Sequence, residues 1–505
     1  MRILLAILLS MGIPLCLCAT PHIIYLLADD LGYNDVSWQD PTIITPNLHA
    51  LAQKGVILQN LYGMTACSPT RASLLTGRYA SNIGSQHLVF SGNIPHGVPT
   101  DIPYLPKRLK ENGYITYGVG KWHQGFCNES FIPTGEMRGF DHYYGFYQGG
   151  AFYYSHTTSE LGPKRPGPGV EMFGYDLHND GVPVDDPEDA CVYSSELFRR
   201  KMTENILNHD PSIPMFQYCA FQLPHTPRNV PRKYYDMYPD ILDQNRRIYY
   251  GQITYMDEIV KNITDTLMQK GMLENTLFIF HSDNGGDTDE GCSNHPYRGS
   301  KGTYFDGGIR LQGFVSGYGI EKTGYTHEGM FHVTDMHPTL VQGLVGGEIS
   351  DNLDGINVWE AISTGADSPR TEFLITVDTE YADRPKDDKM GANISAIRVG
   401  DYKLMVGFPS FSYVTQTFGW YPPLNTEIPT VIPPPAGEKG ADVFLYNLAD
   451  DPYEGTNLAS EMPDKVAELR EKLLPYEASA WTFWPEATDA ADPDNFNNFW
   501  DVGWC

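Results

Sequence analysis

The sequence predicts an α/β fold, with a large first domain and a smaller α+β domain towards the C-terminus. Short apolar runs alternate with helical patterns over most of the chain, which is typical of an α/β sheet. From about residue 366 the sequence changes to segments rich in Tyr, Phe and Pro. The length of 505 residues is more than one compact core needs. We therefore expect a large domain at residues 20–365 and a smaller one at residues 366–505.

The N-terminal residues have the layout of a secretory signal peptide, which we place at residues 1–19. Arg2 precedes an apolar run at residues 3–17, and the small residues Cys18 and Ala19 follow. The run is shorter than the roughly 20 apolar residues that span a bilayer, and no later stretch approaches that length. We expect a protein without a transmembrane segment that enters the secretory pathway and is lysosomal or secreted. Three sequons for N-glycosylation agree with this route: Asn128, Asn262 and Asn393.

Charge and cysteine usage limit the partners and the covalent framework. The formal net charge is −28, whereas binding to nucleic acid needs clustered Lys and Arg, so we expect no nucleic-acid partner. Two of the eight cysteines lie in the signal peptide and Cys67 is treated below, which leaves an odd number. At least one of the remaining cysteines therefore stays unpaired or pairs between chains. Cys219, inside an apolar run, is the expected buried thiol.

Four apolar runs are predicted to be strands of one sheet. They span residues 22–27, 114–119, 214–223 and 276–280. Polar residues end or follow these runs: Asp29 and Asp30, Lys121 and His123, His225, and Asp283 and Asn284. Ligands of open α/β sheets bind outside the carboxyl ends of the strands. The sequence therefore predicts that these residues share one site.

Helical patterns lie between the runs. One helix is expected to begin at Pro46, with Thr45 as its N-cap, and to end before Gly55. A second passes through Leu105 and Leu109 and stops at Gly113. A long amphipathic helix is predicted at residues 246–270.

The C-terminal region is predicted to combine short strands with one helix. The strands are expected at residues 402–405 and 443–446, with a loop at residues 433–440 over one end. The helix should begin at Pro463 and end before Pro475, because proline disrupts a helix interior. We interpret the Trp-rich tail as packing material, with sugar stacking as the alternative.

Asp29, Asp30, Asp283 and Asn284 form a candidate metal site made only of oxygen ligands. Such a set suits Ca²⁺ or Mg²⁺ and disfavours zinc. An adjacent pair of Asp residues alone is more often a turn or a helix cap. Two such polar pairs at the ends of separate strands favour a cation, because closely placed carboxylates repel each other.

The segment at residues 67–78, Cys-Ser-Pro-Thr-Arg-Ala-Ser-Leu-Leu-Thr-Gly-Arg, is the most specific motif of the chain. A lone cysteine is more often a half-cystine or a buried thiol. Pro69 suits the first turn of a helix, so Cys67 is expected near a helix N-terminus. Backbone N–H groups and the helix dipole favour an anion there.

This motif resembles the signature of the type I sulfatases, C-x-P-x-R followed by L-T-G-R, although Thr70 stands where Ser is more usual. The resemblance runs from residue 23 to about residue 458 and looks closest to the arylsulfatase B branch, the N-acetylgalactosamine-4-sulfatases. It includes Arg138-Gly-Phe-Asp141 and Tyr153-Tyr-Ser-His156. One departure is Asp306-Gly-Gly-Ile-Arg310, where the family more usually has Glu first.

The resemblance implies a role for each candidate residue. Cys67 would be oxidised to formylglycine by a formylglycine-generating enzyme, and its oxygen would join Asp29, Asp30, Asp283 and Asn284 around one Ca²⁺ or Mg²⁺ per chain. Arg71 would support the formylglycine hydrate, and Lys121 and Lys301 would bind the sulfate. His123 would help activate the hydrate. His225 would contact sulfate, and His225 or Lys301 would protonate the departing alcohol. Taken singly, such lysines and histidines are more often surface charges or structural hydrogen-bonding groups.

The resemblance also implies an alkaline-phosphatase-like fold, with helices on both faces of a mixed sheet and a C-terminal domain with an antiparallel sheet. The implied activity is hydrolysis of sulfate esters by an arylsulfatase-type enzyme, for example at the end of a sulfated sugar such as N-acetylgalactosamine 4-sulfate. Two alternatives stay open. One is a phosphatase or phosphonate-ester hydrolase on the same fold. The other is an inactive secreted protein that binds sulfated glycans, in which Cys67 remains a thiol or forms a disulfide.

Overall fold

The computed structural model describes residues 20–505, apart from residues 88, 163–170, 187, 350–351, 379–392, 411–418, 421–437 and 439–440. The predicted signal peptide lies outside the described residues. So does all of the loop expected at residues 433–440 except Glu438.

Strands and helices alternate along the described residues, as the sequence predicts. The strands are β1 His22–Ala28, β2 Gly55–Tyr62, β3 Ile115–Lys121, β4 His142–Phe146, β5 Thr157–Leu161, β6 Glu171–Tyr175, β7 His178–Asn179, β8 Val182–Pro183, β9 Met215–Ala220, β10 Thr276–Ser282, β11 Arg310–Leu311, β12 Gly313–Gly317, β13 Tyr325–His332, β14 Glu372–Asp378, β15 Ile394–Val399, β16 Tyr402–Gly407 and β17 Val443–Asn447. The α-helices are α1 Pro46–Gln53, α2 Cys67–Thr76, α3 Leu105–Glu111, α4 Ser194–Asn208, α5 Arg232–Tyr235, α6 Gln244–Gln269, α7 Asp306–Ile309, α8 Met336–Pro338, α9 Trp359–Thr364 and α10 Pro463–Ser479.

A large mixed sheet forms the centre of the molecule, and the prediction of an α/β fold is confirmed. Its strand order is β11-β2-β12-β10-β1-β9-β3-β4-β7-β8, with β13 also paired to β2. The strands β10, β1, β9, β3 and β4 run parallel to one another. The flanking strands β12 and β7 are antiparallel. All four predicted strands, β1, β3, β9 and β10, are therefore neighbours in the parallel centre of the sheet.

The central strand β1 contributes to a different hydrophobic core on each face of the sheet. Ile23, Tyr25 and Leu27 belong to the core that includes residues of α2 and α3. Ile24 and Leu26 belong to the core that includes residues of α1, α4 and α6. Side chains alternate between the two faces of a strand, so a strand covered on both sides reads as an uninterrupted apolar run.

The predicted helices of the large domain are present with small differences at their ends. Thr45 precedes α1 but makes no side-chain cap, because its hydroxyl group is hydrogen bonded to Ser37 instead. The helix α6 begins two residues earlier than expected. Asp243 caps it by accepting a hydrogen bond of 2.9 Å from the backbone N–H of Arg246.

The small C-terminal domain contains an antiparallel sheet of order β14-β15-β16-β17, with α10 packed against it. The prediction that α10 ends before Pro475 was wrong, since the helix continues to Ser479. Leu469 and Leu473 are buried against the sheet, and Tyr476 packs edge-on against Tyr79. Packing on both sides of Pro475 stabilises the last turn despite the backbone hydrogen bond that proline removes.

The C-terminal tail folds back on the large domain. Cys127 and Cys505 form a disulfide with Cα atoms 5.4 Å apart. Trp500 is fully buried and donates a hydrogen bond to the carbonyl of Thr158, as expected of packing material. Four cysteines of the described residues are free: Cys67, Cys191, Cys219 and Cys292. Cys219 is buried as predicted. None of the described helices is long and apolar enough to cross a membrane.

Candidate active site

The ends of β1, β9, β3 and β10 meet at one edge of the sheet, and the predicted site residues lie there. Ala28 is in register with Ser282, which places Asp29 and Asp283 side by side. The N–H of Asp283 donates to the carbonyl of Ala28 at 3.0 Å. The N–H of Asp29 donates to the carbonyl of Leu223 at 3.0 Å. Parallel pairing thus brings together residues more than 250 positions apart.

Asp29 is the centre of a buried charge cluster. Its two carboxylate oxygens accept hydrogen bonds from Lys121 Nζ at 2.7 and 3.0 Å. Arg71 lies 3.7 Å away, and the Sγ atom of Cys67 lies 3.5 Å from Oδ1. Asp29, Lys121 and Arg71 have no solvent exposure.

Asp30 has a left-handed backbone with φ of 64°, which turns its side chain towards a second lysine. Its Oδ2 atom accepts from Lys301 Nζ at 2.7 Å and lies 3.6 Å from His225 Nε2. Its Oδ1 atom accepts from Asn284 Nδ2 at 2.7 Å. Burial acts to raise the pKa of Asp30, but the charges of Lys301 and Lys121 outweigh it and hold the pKa below its usual range. The carboxyl group is therefore ionised.

Asp283 and Asn284 complete the acidic set from the end of β10. Asp283 accepts hydrogen bonds from Arg71 at 2.8 and 3.1 Å and from the N–H of Asp30 at 3.2 Å. Burial and the neighbouring Asp29 raise the pKa of Asp283. The Oδ1 atom of Asn284 is buried and has no hydrogen-bond partner among the described residues. An orphaned buried oxygen of this kind needs a donor or a cation.

Cys67 begins helix α2, as the sequence predicts. No side chain caps the helix N-terminus, so its first N–H groups remain available to an anion. Arg71 follows one helical turn later on the same face and points to the same carboxylates. Burial raises the pKa of the Cys67 thiol to about 12, so an unmodified thiol stays protonated.

The two histidines are neutral in this structure. Burial, Lys121 and Arg71 hold the pKa of His123 well below its usual value, and its Nδ1 atom is buried without a partner among the described residues. Burial lowers the pKa of His225 to about 3. Its Nδ1–H donates to the carbonyl of Thr226 at 2.6 Å, so Nε2 presents a lone pair to Lys301 Nζ at 3.4 Å. The Asp30 carboxylate raises the pKa of Lys301 well above its usual value despite burial, so Lys301 holds the proton at this position.

Two glycines beside the histidines were not predicted as site residues. A Cβ atom on Gly149 would lie 2.8 Å from Cε1 of His123, and one on Gly150 would lie 3.2 Å from Cε1 of His225. The consecutive glycines after β4 were the signal in the sequence. They allow the backbone to approach both imidazole rings closely.

The donor set fits a divalent cation. Ligand atoms of Asp29, Asp30, Cys67 and His225 all lie within 4.8 Å of one another. The oxygen chemistry of the aspartates and the orphaned oxygen of Asn284 suit a hard cation. His225 was predicted to contact substrate rather than metal, and the structure places it within reach of either.

Positive charge converges on the same place, and one side of the site is open. Arg71, Lys121 and Lys301 all contact the buried carboxylates. The side chains of Lys301 and His225 are 20% and 15% exposed, whereas those of Arg71 and Lys121 are fully buried. A ligand therefore enters beside Lys301 and His225, and an anionic group reaching Cys67 meets three cations.

Comparisons with known proteins agree with the observed fold. A family model described as "Sulfatase" matches residues 21–346. Arylsulfatase J of Mus musculus is 37% identical over 481 residues, which cover 91% of this chain and 76% of that protein. Arylsulfatase A of Bos taurus is 28% identical over 98% of this chain and 95% of its own length. The solved structure of Ps i-CgsB in complex with k-i-k-neocarrahexaose superposes with a TM-score of 0.74 at 25% identity, covering 94% of this chain and 97% of that one.

Proposed function

This chain belongs to the sulfatase family and is an enzyme that hydrolyses sulfate esters, and from that premise we propose that it desulfates sugars through a formylglycine made from Cys67. One observation carries the proposal. Arg71, Lys121 and Lys301 converge at the N-terminus of α2, where Cys67 lies beside buried carboxylates. Fixed cations and helix N–H groups stabilise a sulfate group at that point.

Asp29, Asp30, Asp283 and Asn284 would hold one Ca²⁺ or Mg²⁺ with an oxygen of modified Cys67. The unpartnered oxygen of Asn284 and the acidic donor set support this assignment. When bound, the cation offsets the repulsion among the carboxylates and draws electron density from a sulfate oxygen.

The proposed reaction begins with the hydrate of formylglycine 67. One hydroxyl group attacks sulfur and gives its proton to Asp29, the carboxylate nearest to Cys67. The bond between sulfur and the sugar oxygen breaks, and that oxygen takes a proton from Lys301. The second hydroxyl group then gives its proton to the neutral imidazole of His123, the aldehyde reforms and sulfate leaves. Water never has to attack the sulfated enzyme.

A substrate panel and a mass measurement test the proposal. The purified protein should hydrolyse 4-nitrophenyl sulfate and N-acetylgalactosamine 4-sulfate, and the peptide that carries residue 67 should have the mass of formylglycine rather than cysteine. Faster hydrolysis of the matched phosphate ester would favour a phosphatase instead. A residue 67 that remains a thiol in active enzyme would overturn the nucleophile.

The cation is tested separately by Asp283→Ala, which should lower both bound metal and turnover, because a carboxylate leaves a hard-cation site. Asp257→Ala is the matched control. Asp257 is equally buried and accepts hydrogen bonds from the first N–H groups of α1, away from the site. That variant should lose stability and keep its metal. Full metal content in Asp283→Ala would contradict the ligand assignment.

The secretory route is proposed from the predicted signal peptide and sequons. Asn393 is exposed, and Asn128 and Asn262 are partly exposed. Asn128 lies beside the disulfide, and the amide of Asn262 donates to the carbonyl of Glu258 within α6. Expression in animal cells followed by removal of N-glycans should reduce the mass of the protein. An unglycosylated protein retained in the cytosol would contradict this route.

A further inference from the structure

The turn that carries Lys301, at residues 298–303, contains two glycines with left-handed backbones. Gly299 has φ of 92° and Gly302 has φ of 82°, a conformation that other residues adopt only with strain. The N–H of Lys301 donates to the carbonyl of Gly286 at 3.1 Å. Glycine allows many backbone conformations, so the position of this turn depends on its contacts with other parts of the molecule.

Arg298 leads into this turn and anchors it to the small C-terminal domain. The guanidinium group is 1% exposed and donates to Glu438 at 2.6 Å, to the hydroxyl of Tyr446 at 3.0 Å and to the carbonyl of Glu454 at 2.9 Å. It also lies 4.0 Å from the ring centroid of Phe305. All three hydrogen-bond acceptors belong to the C-terminal domain.

The backbone of the turn is tied to the same domain. The N–H of Gly299 donates to the carbonyl of Gly419 at 3.0 Å, and the N–H of Tyr304 donates to that of Pro409 at 3.1 Å. The hydroxyl of Ser410 donates to the carbonyl of Gly302 at 3.0 Å. Gly299 and Gly302 each make one hydrogen bond with the C-terminal domain, while the N–H groups of Gly302 and Lys301 donate to the carbonyls of Thr65 and Gly286 in the large domain.

A buried ion cluster fixes the far end of the turn. Lys403 on β16 contacts Asp306 at 2.8 Å and Glu454 at 2.7 Å. Glu454 also accepts a hydrogen bond of 2.7 Å from the N–H of Asp306. Asp306 stands where the family more usually has Glu, and here Glu454 places a second carboxylate at the same lysine.

We propose that Arg298 is a positioning residue through which the C-terminal domain holds Lys301 in place to protonate the leaving oxygen. The inference rests on the proposed function and assigns a catalytic purpose to the domain junction. As the bond between sulfur and the leaving oxygen breaks, its electron pair goes to that oxygen, which takes a proton from Lys301 Nζ and leaves the amine neutral. Proton transfer of this kind needs hydrogen-bond contact, so a displaced turn loses it.

The leaving group distinguishes positioning from ordinary structural support. Phenolate is a poor leaving group without a proton, whereas the nitro group of 4-nitrophenolate stabilises the negative charge. A displaced Lys301 therefore slows phenyl sulfate more than 4-nitrophenyl sulfate. A loss of folded enzyme slows both equally and leaves the ratio of their rates unchanged.

The experiment compares kcat/KM for the two aryl sulfates in the unmutated protein and in Arg298→Lys. General acid catalysis contributes about 10²–10⁴-fold, so partial misplacement should raise the ratio of 4-nitrophenyl to phenyl rates about tenfold. Arg370→Lys is the control. Arg370 is also buried and makes a paired contact with Asp335, but it lies away from the Lys301 turn. This variant should leave the ratio unchanged.

Two outcomes would overturn the inference: an unchanged ratio in Arg298→Lys, or an equal rise in Arg370→Lys. If Arg298→Lys does not fold, Glu438→Gln removes the charge partner of Arg298 but preserves the side-chain shape. It should raise the ratio in the same direction, and an unchanged ratio there would also refute the inference. An unmutated enzyme that hydrolyses neither aryl sulfate would instead refute the proposed function.

Discussion

At the scale of single residues, Cys67 is defined by what surrounds it more than by its own chemistry. The thiol is buried, which raises its pKa to about 12, and the negative charge of the Asp29 carboxylate beside it further opposes formation of a thiolate. Cysteine nucleophiles depend on a lowered pKa. The site therefore suits an oxygen nucleophile at this position.

The variant Cys67→Ser tests this conclusion. Serine keeps one hydroxyl group, which could attack sulfur, but it has no second hydroxyl group to expel the sulfate. Turnover should stop after at most one cycle. Intact-mass measurement after incubation with 4-nitrophenyl sulfate should show either a persistent sulfate adduct on the peptide carrying residue 67 or no reaction. Sustained turnover at the rate of the unmutated enzyme would refute the mechanism in which the second hydroxyl group of the formylglycine hydrate expels sulfate.

His332 tests the link between burial and pH at a distance from the site. Its ring is fully buried, accepts a hydrogen bond from the N–H of Thr334, and lies among Tyr79, Phe373, Arg370 and Asp335. Burial and Arg370 hold its pKa well below 6.5. The unfolded chain therefore takes up a proton below that pH and the folded chain does not. Stability from this residue is present above pH 6.5 and is lost as the pH falls.

His332→Asn removes this titration and keeps an acceptor for Thr334. Unfolding in urea should show the variant to be less stable at pH 7.5, because ring packing is lost. The difference from the unmutated protein should shrink at pH 5, because only the unfolded state of the unmutated protein takes up a proton at His332 as the pH falls. A difference that stays constant with pH would contradict the lowered pKa of His332.

Most members of the candidate site could be predicted because they either belong to one motif or follow the ends of predicted strands. Asp29, Cys67, Lys121 and the other proposed groups lie together as expected. The two glycines beside the histidines could not be predicted as site residues. A glycine pair indicates a flexible backbone, but the sequence does not indicate which side chain that backbone approaches. A shared site for His225 and the aspartates was predicted, but the distance of 3.6 Å between His225 Nε2 and Asp30 Oδ2 was not, since it depends on how the loop after β9 folds back.

At the scale of helices and strands, apolar patterns located the elements and local signals misplaced some ends. Thr45 has the sequence of an N-cap but bonds elsewhere. Pro475 has the sequence of a helix end, yet α10 passes through it. In both cases a tertiary contact outweighs a local preference of about 1–3 kcal/mol.

Replacing Pro475 measures this conflict in α10. Pro475→Ala restores the backbone N–H and removes the ring from the helix interior. It should stabilise the protein by about 2 kcal/mol, after allowance for the freer unfolded chain. Urea unfolding provides the measurement, and Leu469→Ala is a control that should destabilise by about 2–5 kcal/mol because it opens a cavity in the same core. An unchanged free energy of unfolding in Pro475→Ala would mean that the proline does not destabilise α10.

At the scale of the whole molecule, the chain is closed by contacts far apart in sequence. The disulfide joins residues separated by 378 positions, and the turn at residues 298–303 is held by the C-terminal domain. The order of the units along the chain could be predicted from composition. The pairing of Cys127 with Cys505 could not, because an odd set of cysteines permits many connectivities.

Cys505→Ser tests what the disulfide contributes to the molecule. Opening a loop of this length should destabilise the protein by about 2–5 kcal/mol. Limited proteolysis should then release the tail that contains Trp500. Cys191→Ser, which replaces an exposed free cysteine, is the control and should change neither stability nor cleavage. Unchanged resistance in Cys505→Ser would show that packing of the tail suffices without the covalent bond.

The side chains of β1 alternate between two hydrophobic cores, and this has a consequence for mutations in the strand. Loss or gain of one residue within β1 would exchange the side chains assigned to each core, and the same event would rotate Asp29 and Asp30 away from Cys67. An insertion or deletion in β1 would therefore impair both folding and catalysis. The turn at residues 298–303 differs, because a single substitution there can impair protonation while both cores remain intact. Variants that separate activity from abundance should accordingly cluster at the domain junction, and variants of β1 should lose both.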